Sequence, residues 1–300
     1  MKIVVTGADG MVGSALCPTL QRQGHEVIPT DRQPLSEATL AVDVRERDAL
    51  HELLRSERPQ WVIHLAAETD VDRCEREPTH AYATNAAGTE YVAMACRAHG
   101  ARLLYVSTAG VFDGGKPTPY VESDIPNPLN VYGRTKLAGE YATRHLVPGH
   151  LIIRAGWMVG GLDRDKKFAG KILRLLEERR ELSVVTDKVG TPTFTEDLSR
   201  GIASLIGTAH EGLFHMANHG VCSRFDFARQ LVEYLGRRDV TIRPITSEGF
   251  PLPAPRSASE AMRNERLQSV GLDAMPSWQA ALQRYVQDYL KTVKACASSS

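Results

Sequence analysis

The sequence predicts an α/β protein: a doubly wound parallel sheet with a smaller mixed lobe toward its C-terminal end. Three observations point there. Short β-branched and aliphatic runs alternate with longer amphipathic stretches, the first run ends in a string of glycines, and the alternation loosens after about residue 155. Such alternation marks strands joined by crossover helices, because a parallel pair needs a long connection. Right-handed crossovers put helices on both faces of one open sheet, and ligands then sit at the carboxyl ends of its strands.

The first strand is Lys2–Thr6, followed by a helix over Met11–Gln23; the second, Glu26–Thr30, leads to a helix over Arg45–Glu57. Strands Trp61–Leu65 and Leu103–Ser107 flank a helix over His80–His99, and a helix over Val131–His145 precedes strand Leu151–Arg154. Beyond it, a Gly160-Gly161-Leu162-Asp163 loop leads to a charged helix around Lys171–Arg180, whose run Glu177–Glu181 reads as a solvated face. Gly212–Met216 reads as a strand. Ser223, with Asp226 three residues on, marks the N-cap of a helix through Leu235. Phe250–Pro255 is too rich in proline for regular structure and is expected to be an ordered loop or lid. Trp278, Leu282, Tyr285 and Tyr289 follow helical spacing, the pattern of a core or subunit contact. Residues 296–300 are expected to be a frayed tail.

The composition excludes several classes of function. The 300 residues carry 36 basic and 36 acidic side chains, so the net charge is zero and there is no broad attraction to nucleic acid or an anionic membrane. An anion must therefore be held by a local site. No window approaches the roughly 18 consecutive apolar residues of a membrane span, and Met1–Thr6 lacks the pattern of a secretory leader. Five scattered cysteines (Cys17, Cys74, Cys96, Cys222, Cys296) without a Cys-x-x-Cys pair predict a reduced, cytoplasmic protein. His215 and His219 stand four apart, but on a strand running into a loop their rings do not share a face, so no metal site is expected.

The first strand ends in Thr6-Gly7-Ala8-Asp9-Gly10-Met11-Val12-Gly13, with a glycine at every third position between strand and helix. Small residues there let a pyrophosphate approach the main chain, and the helix start supplies N–H donors and partial positive charge. Gly7, Asp9, Gly10, Met11 and Val12 are therefore candidate cofactor contacts in a dinucleotide-binding, Rossmann-type sheet. Asp31, at the end of the second strand, suits the ribose hydroxyls of NAD, whereas Arg32 suits the 2′-phosphate of NADP. The expected cofactor is NADH or NADPH, with a lean to NAD and room for dual use. Asp43 either accepts from the adenine amine or caps the helix over Arg45–Glu57. With Val44, Leu65, Ala66 and Ala67 it completes the expected cofactor wall.

Tyr132-Gly133-Arg134-Thr135-Lys136 places a phenol and an ammonium four residues apart, on one helix face. A free tyrosine, with a pKa of about 10, is a poor proton donor or acceptor near neutrality. Lys136, together with a nicotinamide cation, is expected to draw it into a useful range. Thr108, at the end of the fourth strand, adds a hydroxyl to orient a substrate oxygen.

With these residues the chain resembles the extended short-chain dehydrogenase/reductases, and within them most closely the dTDP-4-dehydrorhamnose reductases, over nearly its whole length. The resemblance rests on Thr6–Gly13, Glu122-x-Asp124 with Pro128–Gly133, Arg154-Ala155-Gly156-Trp157, Asp187–Thr193 with Asp197-Leu198, and Arg256–Leu267. It implies that Thr108, Tyr132 and Lys136 are catalytic and that Tyr132 and Lys136 also touch the cofactor. It further implies Asn85 near the nicotinamide, Trp157 on the sugar, and Val111 and Arg256 on the substrate side. Residues 1–155 with about 185–220 would form the NAD(P)-binding domain, and about 156–184 with 221–295 a substrate lobe. The chain departs from the family at Ala109-Gly110, where the reductases read Asp-Tyr, and at Arg256-Ser257-Ala258-Ser259-Glu260, where they read Arg-Pro-x-Asn-Ser. Ala109-Gly110 also lacks the Asp-Glu of the neighbouring 4,6-dehydratases, so dehydration is not expected. The implied activity is reduction of a nucleotide-linked 4-keto-6-deoxy sugar, with that sugar nucleotide as partner and a homodimer among the expected states. Two rivals stand beside it: an epimerase of the same superfamily, and a non-catalytic NADP-binding regulatory subunit of a methionine adenosyltransferase.

Overall fold

The first half of the chain alternates strand and helix. β1 (Lys2–Thr6) runs into α1 (Gly13–Arg22), β2 (Glu26–Asp31) and the short β3 (Leu40–Ala41) precede α2 (Arg47–Glu57), and β4 (Trp61–His64) is followed by α3 (Val71–Arg76) and α4 (Pro78–Ala81). A π-helical turn, Tyr82–Ala87, joins α4 to α5 (Gly88–His99), and β5 (Arg102–Thr108), α6 (Val131–Leu146) and β6 (Leu151–Ala155) complete the series. The second half contributes β7 (Met158–Val159), α7 (Phe168–Glu178), β8 (Glu181–Val185), β9 (Val189–Gly190), β10 (Thr193–Phe194) and α8 (Thr195–Leu205). It continues with β11 (Gly212–His215), β12 (Cys222–Ser223), α9 (Arg224–Tyr234), β13 (Thr241–Ile245), β14 (Ser259–Glu260), α10 (Glu265–Ser269) and α11 (Trp278–Ser298). This computed structural model describes residues 1–298, with side chains through Val293.

Seven parallel strands form the main sheet in the order β11-β6-β5-β4-β1-β2-β3. β4 and β6 are buried along their whole length, as strands covered on both faces must be. Alternation along β1 shows how the sheet is doubly wound. Ile3 and Val5 pack with Leu16, Leu20, Leu198 and Ile202 of α1 and α8, while Val4 packs with Leu50, Leu54 and Val92 of α2 and α5. Strand order reverses between β1 and β4, so a crevice opens at their carboxyl ends.

A third apolar cluster joins Trp157, Phe194, Phe227, Leu231, Trp278, Leu282 and Tyr285, which makes the aromatic stripe of α11 core. Two-stranded β13–β8 pairing and helix α3 carry no periodicity signal long enough to read from sequence. Ser223 and Asp226 form a reciprocal capping box, with Asp226 N–H donating to Ser223 Oγ (3.0 Å) and Ser223 N–H to Asp226 Oδ2 (3.2 Å). Phe250–Pro255 has no regular structure and is docked at its far end: Ala254 N–H donates to Asp72 Oδ1 (3.1 Å) and Asn130 Nδ2 to the Pro255 carbonyl (2.9 Å).

Some expected boundaries move. The helix over His80–His99 is interrupted by the π turn, where the ladder shifts by one residue. The charged helix ends at Glu178, and Glu181 already belongs to a strand, so the run Glu177–Glu181 is exposed but not one helix face. Residues 296–298 of the expected tail are helical backbone, and residues 299 and 300 lie outside the described residues.

Candidate active site

The crevice at the strand ends begins with the turn after β1. Gly7 has φ +70°, and a Cβ there would lie 2.7 Å from Ala66 N, so only glycine lets this turn lie against the chain leaving β4. A Cβ at Gly13 would lie 2.3 Å from the Ala8 carbonyl oxygen, so the missing side chain lets α1 begin directly behind the turn. The cap residue Val12 adds no side-chain hydrogen bond, and the first turn carries no acid. Such a helix start offers its N–H groups to an anion.

Asp31, at the end of β2, accepts from Asp9 N–H (3.3 Å) and Gln33 N–H (3.0 Å), while Asp9 Oδ2 accepts from Leu35 N–H (2.8 Å). Asp43 is not a helix cap, because α2 starts at Arg47 behind Glu46. Its carboxylate instead holds Arg45 through the backbone N–H (3.0 Å) and the guanidinium (Nη2 at 2.5 Å), and that pairing holds Asp43 below the usual carboxylate range. Gly7, Gly10, Met11, Val12, Asp31, Arg32, Asp43, Val44, Leu65, Ala66 and Ala67 all border one cavity of about 340 Å³. These residues fit a dinucleotide: a cradle closed to any Cβ, a free helix start, and an acid beside an arginine at the end of β2.

Thr108, Tyr132 and Lys136 border the other end of the same cavity, with Ala155, Gly156 and Met158. Asn130 caps α6 by accepting from Gly133 N–H (2.9 Å). Gly133 packs so closely on the turn after Thr108 that a Cβ would lie 2.2 Å from the Gly110 carbonyl oxygen. That approach brings the phenol beside the Thr108 hydroxyl, whose Oγ1 also accepts from Gly110 N–H (3.0 Å). Burial raises the Tyr132 phenol to about 12, with the Thr108 hydrogen bond acting in the opposite sense. Lys136 is 4% exposed, and its Nζ donates to the Val106 carbonyl (2.8 Å). Burial lowers its ammonium to about 7. In the chain alone, then, burial outweighs the expected pull of Lys136 on the phenol.

Five expected contacts do not border the cavity. Asp9, in the turn after β1, is occupied locally: its Oδ2 accepts from Leu35 N–H (2.8 Å) and its carbonyl from Arg164 Nη1 (3.2 Å). Val111 is fully buried among Ala109, Phe112, Tyr120, Ala217 and Met262. Trp157 is 8% exposed; its Nε1 donates to Glu260 (2.7 Å), the Arg224 guanidinium lies 3.5 Å from its ring centroid, and Gly190 abuts the indole. Arg256 is held by Asp72 (3.0 Å) and the Ala254 carbonyl (2.8 Å), so its guanidinium is spent on the proline-rich loop. Asn85, inside the π turn, clamps the chain after β4: its Oδ1 accepts from Glu68 N–H (2.8 Å), and its Nδ2 donates to the Glu68 carbonyl (3.0 Å) and Thr135 Oγ1 (3.1 Å). The cavity has further walls that sequence reasoning passed over, namely Glu68, Thr69, His80, Thr84 and Lys167. Lys167 Nζ donates to the Thr69 carbonyl (2.7 Å) and hydroxyl (2.9 Å). Glu68-Thr69 directly follows Ala66-Ala67, which was a usable signal; Lys167 had none.

The model of the RmlD substrate binding domain family matches residues 1–291. The chain belongs to that family. A dTDP-4-dehydrorhamnose reductase of Mycolicibacterium smegmatis is 37% identical over 284 residues, covering 94% of this chain and 84% of the relative. Two solved structures of such reductases superpose with a TM-score of 0.90. One, from Clostridium acetobutylicum, is 37% identical and matches over 97% of this chain and 100% of its own. The other, from Bacillus anthracis in complex with NADP, is 34% identical and matches over 96% and 99%. The relatives that match over nearly the whole chain are thus named as dTDP-4-dehydrorhamnose reductases, one of them solved with NADP.

Proposed function

We propose that this protein reduces the C4 carbonyl of a nucleotide-linked 4-keto-6-deoxy sugar, as a dTDP-4-dehydrorhamnose reductase does, using NADH or NADPH. The observation that carries the reading is the single cavity bordered at one end by the glycine turn, Asp31 and Arg32, and at the other by Thr108, Tyr132 and Lys136. The dinucleotide, held by Gly7–Val12, Asp31 and the Leu65–Ala67 wall, supplies the hydride when bound.

Tyr132 donates a proton to the sugar oxygen as charge develops on it, a role suited to a phenol that burial keeps protonated at neutral pH. Thr108 hydrogen-bonds the same oxygen. Lys136 presents an ammonium to the cofactor's ribose and stabilises negative charge on the phenol once its proton has left. Trp157 and Arg256 act on the sugar side indirectly, by holding Glu260 and the proline-rich loop in place.

The test follows loss of reduced nicotinamide with a panel of nucleotide 4-keto sugars. Tyr132→Phe should bind NADPH as the parent does and lose kcat by about 100-fold or more. Retention of a tenth or more of the parent's kcat would reject the assignment.

A further inference from the structure

Lys136 is a cation inside a buried wall, 4% exposed. A buried ammonium ordinarily faces a carboxylate, because an unpaired charge in such a place is expelled or neutralised. The one acid of α6, Glu140, is already engaged, taking Arg154 Nε (2.8 Å) and Nη2 (2.7 Å) and the Ser107 hydroxyl (2.5 Å). What lies against the ammonium is an aromatic face, with Lys136 Nζ 4.2 Å from the ring centroid of Tyr105.

We propose that Tyr105 is a positioning residue for the reaction, its ring face keeping the Lys136 ammonium charged and aimed into the site. The inference rests on the reading that Lys136 acts there as an ammonium. The ring is firmly placed. Tyr105 is fully buried in mid-β5, and its hydroxyl donates to the Lys136 carbonyl (3.3 Å). That hydroxyl fits only because residue 139 is glycine, where a Cβ would lie 2.5 Å from the phenol oxygen. The same side chain thus grips the lysine's backbone at one end and faces its charge with the ring.

Apart from Glu140, the titratable neighbours offer the ammonium no charge at pH 7. Burial pushes the Cys74 thiol of α3 up to about 12, the Tyr132 phenol of α6 to about 12, and the Tyr105 phenol itself well up, so all three are neutral at pH 7. His64 of β4, stacked beside Tyr105 at 5.6 Å between centroids and bonded to Thr6 Oγ1 (2.7 Å) and Thr89 Oγ1 (3.1 Å), is held neutral by burial, down to about 3. Glu140, although paired with Arg154, adds its own charge in the same direction, raising Lys136. Burial pulls Lys136 down, and a desolvated cation–π contact opposes that pull.

The experiment is an NMR titration of the full chain carrying ¹⁵Nζ-lysine, without substrate, the Lys136 signal being identified by its loss in Lys136→Arg. Tyr105→Phe keeps the ring and should keep the midpoint. Tyr105→Leu should lower it by about one pH unit. Phenylalanines of increasing fluorine content at position 105, which weaken the ring's negative face with little change in volume, should lower the midpoint stepwise and decide the matter if the leucine variant does not fold. The high-pH limb of NADPH binding should move down in parallel. A midpoint unchanged across the fluorine series overturns the proposal. A shifted midpoint in a protein that turns over no sugar would reject the proposed function and leave this role standing, whereas turnover with an unshifted midpoint would do the reverse.

Discussion

Arg154→Met tests whether the polar layer beneath the end of β5 is a closed unit. Glu140 and Arg154 are each 1% exposed and meet through two hydrogen bonds of 2.8 and 2.7 Å, with Ser107 completing the set at 2.5 Å. Methionine keeps an apolar stem close to Phe112, which lies 5.1 Å from the guanidinium, so the packing loss is small. The electrostatic loss is large, because Glu140 is left buried with one hydroxyl donor. Removing one partner of a buried pair costs about 3–5 kcal/mol. For a chain of this length each kcal/mol moves the midpoint by roughly 2 °C, so a fall of roughly 6–10 °C is expected. Glu140→Leu combined with Arg154→Met removes both charges and should recover most of the loss. Thermal unfolding followed by circular dichroism, with urea midpoints as a check, measures both. A single variant destabilised by less than about 1 kcal/mol, or a double variant as unstable as the single, would refute the reasoning.

Three further outcomes follow from the same structure. Asp31→Ala should weaken NADH more than NADPH, since Arg32 remains to meet a 2′-phosphate; titration of nicotinamide fluorescence measures both, and the reverse ranking would make Arg32 the determinant. Gly133→Ala should abolish turnover while leaving the sheet intact by far-UV circular dichroism, because the added Cβ would lie 2.2 Å from the Gly110 carbonyl oxygen and push Tyr132 away from Thr108. Acid should destabilise the protein through His64 and His215, both held by burial at about 3, well below the ordinary imidazole value of about 6.5. The unfolded chain takes up these protons first, so the stability they contribute is complete above pH 6.5 and is lost as pH falls toward 3. His215→Phe should flatten that slope in urea titrations across pH 4 to 6.5, and an unchanged slope would count against a neutral buried His215.

The sequence by itself determined the order of βα units, the glycine turn and the grouping of Thr108, Tyr132 and Lys136. Each is a local code: period-2 and period-3.6 burial, glycine where a Cβ has no room, a phenol and an amine four apart on one helix. Local codes carry no information about which distant segment arrives alongside. Tertiary structure decided that Arg256 is held by Asp72 and Asn85 by Glu68 and Thr135, so neither borders the cavity despite its matching motif. It decided that Val111 faces a core and that the Trp157 ring lies against Arg224 and Gly190. It also brought Lys167 to Thr69 across the cavity and set the Tyr105 ring against Lys136. The physical reason is common to all of these. A polar or aromatic side chain takes its role from the partner that satisfies it, and those partners are supplied by packing between separate elements, which spacing along the chain does not encode.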